Sequence, residues 1–225
     1  MSKFFLDLLF PLECLNCQTE GNYLCTPCFQ KIKTSTKSEQ TGAKTNLQIP
    51  ELNEIYIAGD YEDKILSKLI IKYKYNFLSP LGKILADFLI NFWNSLEIPW
   101  PRETLLIIPI PLSKKRLRWR GFNQAEILAR EFCTYYKILN NELFDCELNL
   151  DLKRQKHRSP QANLNEAERL INIKSAFAWK GKNLSGQNII LIDDVTTTGA
   201  TLNEAAKTLR TAGANKVYAL VLAKG

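Results

Sequence analysis

Histidine and methionine each occur once in the 225 residues. One imidazole excludes a histidine-rich metal centre, and any Ser/His/Asp or Cys/His machine would have to use His157. A bound metal must therefore lean on cysteine or carboxylate. A long hydrophobic run is also missing. The apolar residues Phe4, Phe5, Leu6, Leu8, Leu9 and Phe10 are broken by Asp7, fall short of a membrane span and precede no small-x-small cleavage site. This segment reads as a short amphipathic helix lying on the body of a cytoplasmic protein with no membrane insertion. With 45% hydrophobic and 24% charged residues, the composition is that of a packed globular chain rather than a disordered one. The charge that is present leans to one sign. Thirty Lys and Arg against 23 Asp and Glu leave a net charge of +7, which favours an anionic partner such as phosphate or nucleic acid.

Four of the six cysteines fall in two knuckles, Cys14-x-x-Cys17 and Cys25-x-x-Cys28. Two such knuckles supply the four soft ligands of tetrahedral zinc. Disulfides are the weaker reading for a chain without an export signal, because the cytosol keeps thiols reduced. Four thiolates leave no open coordination position, so this zinc is expected to be structural, folding a module too small to hold itself together. Cys133 and Cys146 lie outside any such pair and read as ordinary half-buried thiols.

Along the rest of the chain, Lys31–Pro50 is rich in Thr, Ser and Lys and reads as a linker or surface loop. Glu54–Asp60 alternates as a half-buried strand would, and helical periodicity follows in 63–75 and 79–96, the latter opened by Ser79 and Pro80. From Thr104 strands and helices alternate. TLLIIPIP is a buried strand, SKKRLRWRG a basic loop, FNQAEILAREFCTYYK a helix, 148–152 a weaker strand, NLNEAERLINI a helix and SAFAW a short strand. NIILID, TLNEAAKTLRTAG and KVYALVLA close the pattern. Such alternation predicts an α/β doubly wound parallel sheet. The expected organisation is an N-terminal helix and four-cysteine module over 1–32, a linker over 33–53 and an α/β domain over 54–225, with 54–100 as a hood-like helical part and 101–225 as the core.

Most of the chemistry sits in IILIDDVTTTGAT. A buried strand ends in Asp193 and Asp194, and the chain turns through Thr196, Thr197, Thr198 and Gly199 into a helix beginning at Ala200 and Thr201. Hydroxyls, loop amides and the positive helix end make an anion cradle, and carboxylates just before it would hold sugar hydroxyls. The physical reading is a ribose 5-phosphate site, and the missing Walker lysine sets aside an ordinary P-loop nucleotidase. The basic segment packs Lys114, Lys115, Arg116, Arg118 and Arg120 around Trp119. Two uses compete for it. The cations would receive a pyrophosphate leaving group, or they would track nucleic-acid phosphates while Trp119 or Phe122 stacks on an unpaired base.

The DDVTTTGAT segment resembles the phosphoribosyl pyrophosphate signature of the type I phosphoribosyltransferases. That resemblance implies ribose contacts from Asp193 and Asp194 and 5-phosphate contacts from Thr196 to Thr201. The CxxC pairs, IPIPLSKKRLRWRGFNQAEILAR, RQKHRSPQANLNEAERLIN and the terminal loop, in that order, are similar to the ComF family. This implies a type I phosphoribosyltransferase-like fold with a small N-terminal zinc-binding module. It also implies a cytosolic protein of natural transformation that handles incoming single-stranded DNA, with other competence proteins as partners. By the same resemblance Arg154, His157, Arg158 and Gln161 belong to a mobile loop closing over the site, where His157 either moves a proton or is simply solvated. Phosphoribosyl pyrophosphate would bring Mg²⁺ with it. The alternative is an active phosphoribosyltransferase whose acceptor is read by 54–100. No residue is assigned a catalytic role.

Overall fold

The structure, a computed structural model, describes residues 12–35, 47, 49–75, 78–96, 105–139, 146–155 and 176–225. The expected N-terminal helix and the helix over 163–173 lie outside them.

Five parallel strands form the central sheet in the order β1-β7-β6-β2-β3. They are β1 (Glu54–Asp60), β2 (Leu105–Pro109), β3 (Cys146–Leu148), β6 (Asn188–Thr196) and β7 (Lys216–Lys224). β6 pairs with β2 on one side, Ile190 opposite Ile107, and with β7 on the other, Ile190 opposite Tyr218. Successive residues point to opposite faces. Ile190, Ile192, Leu220 and Leu222 enter one apolar core, while Ile189, Leu191, Ala219 and Val221 enter a second. β1 departs from expectation. Its five central residues are all buried instead of alternating, because both faces of the sheet are covered.

The first core lies under α2 (Lys64–Tyr75), α3 (Leu81–Ser95) and α5 (Gln124–Leu139). α2 is capped by Asp63, whose Oδ1 accepts from the Ile65 and Leu66 amides at 2.9 Å each. It buries Leu66, Leu69, Ile70 and Tyr73, one stripe at helical spacing. α3 starts at Pro80 in the N-cap position, one residue later than expected. The second core lies under α6 (Ala200–Thr211) and a small antiparallel pair, β4 (Leu152–Arg154) with β5 (Phe177–Trp179). The expected single strand over 148–152 is thus two strands in different sheets. Asn149 breaks it, its Oδ1 accepting from the Asp151 amide at 2.7 Å in a tight side-chain turn.

The cysteine knuckles, with the short α1 (Thr26–Phe29), pack on the first core through Cys14, Leu24, Cys28 and Ile32. Phe29 meets Phe88 of α3 edge-to-face at 6.4 Å. The Ser35 amide donates to the Ala58 carbonyl at 2.8 Å and so covers the outer edge of β1. No helix among the described residues is long and apolar enough to cross a membrane.

The topology fixes where a ligand can sit. β2 leads through α5 to β3 on one side, whereas β6 leads through α6 to β7 on the other and across the opposite face. The crossovers part between β2 and β6, and such a switch point opens a crevice at the carboxyl ends of the strands.

Candidate ribose-phosphate cleft and metal site

That crevice holds a cleft of about 670 Å³. Its floor is Asp193, Asp194 and Val195 of β6, and its walls are Lys74 and Tyr75 at the end of α2, Arg154 of β4 and the basic helix after β2. Lys74 Nζ lies 2.8 Å from Asp194 Oδ1, joining α2 to the end of β6. Burial, and then the Asp194 charge, push the Asp193 carboxyl up to about 7, while the Asp194 amide, Lys74 and Arg154 pull the other way. That amide donates to Asp193 Oδ1 at 2.9 Å. Asp193 therefore changes charge near neutrality. Arg154 stacks over Phe177 at 5.3 Å. Burial and then Arg116 lower its affinity for its proton, and Asp193 opposes them. Anionic and cationic groups thus face each other across one space.

The threonine loop is shorter than expected. Thr196 is the buried last residue of β6, and its carbonyl accepts from the Gly225 amide at 2.9 Å. Thr197 and Thr198 are exposed, and Thr201 lines the cleft. Gly199 stands at the N-cap of α6 with φ of 76°, and a Cβ there would lie 2.3 Å from Ile49 Cδ1. Only glycine meets both demands. α6, starting at Ala200, then directs its amino end to the loop.

The expected basic loop is a helix, α4 (Lys114–Arg120). Ser113 caps it, its Oγ accepting from the Arg116 amide at 3.3 Å, and Gly121 ends it with φ of 78°. The helix separates its cations. Lys115, Arg116 and Arg120 line the cleft, whereas Lys114 lines a second groove of about 770 Å³ with Lys153, Lys180 and Glu126. Arg118 is exposed and lines neither. Arg120 turns inward, its Nη1 donating to Gln124 Oε1 at 2.7 Å. Of the four residues expected in the mobile loop, Arg154 belongs to β4, while His157, Arg158 and Gln161 lie outside the described residues.

At the N-terminus the four sulfurs of Cys14, Cys17, Cys25 and Cys28 lie within 4.8 Å of one another. Tetrahedral zinc with bonds of about 2.3 Å would bring such sulfurs to about 3.8 Å. Burial pushes the Cys14 thiol up, but the amides of Cys17, Cys25 and Asn16 outweigh it and bring it down to about 6. At Cys25 the Cys28 amide pulls down, yet burial and the neighbouring sulfurs push the thiol up to about 12. A divalent cation removes that conflict by letting all four ionise. The donor set fits zinc. Cys133 and Cys146 are fully buried rather than half-buried, with their sulfurs 3.1 Å apart.

A family model described as a phosphoribosyl transferase domain matches residues 119–225. Competence protein F of Haemophilus influenzae is 30% identical, over 96% of this chain and 98% of its own length. The chain belongs to the ComF family. Competence protein ComFC of Bacillus subtilis is 31% identical over 91% of this chain and 81% of its own. A DNA utilization protein, YhgH of Escherichia coli O157:H7, is 26% identical over 94% and 89%. For this ComF family chain, sequence reasoning brings the carboxylates and α4 to one cleft but misses Lys74 and Tyr75. Their only signal is the KYKY ending of an amphipathic helix, which resembles any basic last turn.

Purified protein is expected to contain one zinc per chain, measured by elemental analysis, and Cys14→Ser to release it. Metal-free protein that keeps its full thermal stability would contradict the assignment.

Proposed function

We propose that the cleft binds phosphoribosyl pyrophosphate, or a related ribose phosphate, with Mg²⁺, and that the protein handles incoming single-stranded DNA in the cytoplasm during DNA uptake. One observation carries the small-molecule part. Asp193 and Asp194 lie in the last residues of a strand that ends at Thr196 at the switch point, and a short loop through Thr197, Thr198 and Gly199 leads from it to the amino end of α6, so sugar hydroxyls and a 5-phosphate have neighbouring receptors. Lys115 and Arg116 on the facing wall suit the charge of the pyrophosphate. Mg²⁺ would be held chiefly by phosphate oxygens and water, with the carboxylates nearby. The DNA part is supported by the names of the relatives, competence and DNA utilization proteins, and by the exposed cations of α4. The four-cysteine module serves as a structural brace.

A second reading, an active phosphoribosyltransferase, is favoured by carboxylates and cations sharing one cleft. An acceptor's lone pair would form the new bond at the anomeric carbon. The bond to pyrophosphate would break with its electrons on the leaving oxygen, where Lys115 and Arg116 stabilise the charge.

Calorimetry with phosphoribosyl pyrophosphate and Mg²⁺ tests the pocket. Binding is expected to be lost in Asp193→Asn with Asp194→Asn. Because the Asp193 carboxyl titrates near 7, it is neutral below that pH and a better hydroxyl acceptor above it. Affinity should therefore climb as pH rises through 7, and Asp193→Asn alone should flatten that climb. Wild-type protein that takes up none of the ligand would show the pocket to be degenerate. For DNA, Lys115→Ala with Arg118→Ala is expected to weaken single-strand binding and to reduce its salt slope by roughly 1–2. Unchanged affinity would remove α4 from the DNA site.

A further inference from the structure

Cys133 of α5 and Cys146 of β3 belong neither to the cleft nor to the four-cysteine module. They come from separate elements, yet the Cys146 thiol donates to the Cys133 sulfur across 3.1 Å. A disulfide bond is about 2.05 Å long, so about 1 Å of travel separates the two thiols from a covalent link. Both are buried, Cys133 at 6% and Cys146 at 1% exposure. One buried thiol packs as a small hydrophobe. Two thiols in sulfur contact can also give up two electrons together. Among the described residues no third metal-ligating side chain joins the pair, so it is not a second metal site. The position of the pair is a second observation. β3 is three residues long, stands at the edge of the sheet and is paired with β2 alone among the described residues. A strand held on one side opens locally at low cost. The chain nevertheless runs from β3 through the Asn149 turn into β4, whose Arg154 lines the cleft. The seat of Arg154 thus depends on a lightly held strand.

We infer that Cys133 and Cys146 are a redox modification site, a dithiol that closes reversibly to an internal disulfide and staples β3 to α5. Its oxidant is a small-molecule disulfide such as oxidised glutathione. The Cys133 thiolate attacks one sulfur of the oxidant, whose S–S bond breaks with the electron pair leaving on the other sulfur. The Cys146 thiolate then attacks the Cys133 sulfur, and the second small thiolate departs. The two protons lost by the cysteines end on the two released thiols, so the protein loses two electrons and the oxidant gains them. Local opening of β3 admits the oxidant to a pair that is closed to solvent while the strand is seated. Once formed, the bond joins β3 to a 16-residue helix that packs along β2 and β6 and buries Leu128 and Phe132 completely. β3 is then anchored on two sides, through its bonds to β2 and through the link to α5. Disulfides in reducing surroundings are usually transient and redox-sensing, and a pair that closes by so small a movement and reopens suits that use.

Peptide mapping of the native full-length protein tests it. The protein is treated with oxidised glutathione, its remaining thiols are alkylated in denaturant, and it is cut with trypsin without reductant. Cleavage after Arg130, Lys137 and Lys153 puts Cys133 alone in 131–137 and Cys146 alone in 138–153, while all four knuckle cysteines share 4–31. The expected product is 131–137 joined to 138–153, lighter than their sum by two hydrogen atoms and released by dithiothreitol. Both cysteines fully alkylated after treatment would overturn the inference. So would glutathione on either one without a cross-link, or a link from either one to 4–31. Wild type alone decides this, whether or not a serine variant folds. Hydrogen exchange then tests the staple: the amides of β3 should exchange several-fold more slowly in the oxidised protein, and Cys133→Ser should remove both the link and the slowing. A link that leaves β3 exchange unchanged would refute the anchoring.

Discussion

The parallel pairing of β6 with β2 and β7 is the constraint on which the rest of the molecule depends. A strand bonded on both edges and covered on both faces has no freedom at its carboxyl end, so Asp193 and Asp194 are delivered to one place. Because the flanking crossovers leave in opposite directions, that place is open above the sheet while it is closed on both sides. The apolar residues of β6 thus serve the site indirectly. They hold two carboxylates where burial makes one of them keep its proton to near neutrality. A charge pair placed on a loop would have relaxed into water instead.

Opposite those carboxylates the protein has gathered cations from three separate elements. Lys74 comes from α2, Arg116 from α4 and Arg154 from β4. Among the described residues, Lys74 is the one of these three that is neutralised directly, by Asp194 at 2.8 Å. The arrangement suits a ligand that carries hydroxyls at one end and phosphates at both others, since each group meets its complement without rearranging the walls. α4 also divides the surplus positive charge between this cleft and the second groove, so the net charge of +7 serves more than one surface. The cysteine module contributes from a distance, by packing Phe29 on the Phe88 of α3.

How much of this was legible in the sequence differs from element to element. The strand, the carboxylates and the threonine turn are contiguous, so β6 and α6 could be read directly, but the strand runs past the carboxylates to Thr196, whose pairing with β7 the sequence does not display. Paired CxxC spacing likewise announced a four-sulfur cluster, which the structure closes to within 4.8 Å. Seven residues with five cations show no apolar stripe, so the sequence of α4 does not mark it as a helix. Its helix is set by what flanks it, Ser113 at one end and Gly121 at the other. The partnership of Lys74 with Asp194 could not be read, since it exists only after α2 is laid across the sheet. Nor could the split of 148–152 into β3 and β4, which turns on one asparagine hydrogen bond to Asp151.

The central claim is that the end of β6 and the start of α6 receive a ribose 5-phosphate group. A crystal structure with phosphoribosyl pyrophosphate and Mg²⁺ tests it most directly. The account predicts ribose hydroxyls on Asp193 and Asp194, with the 5-phosphate on the amides of residues 197–201. A ligand held by α4 alone, with its sugar away from both carboxylates, would contradict it.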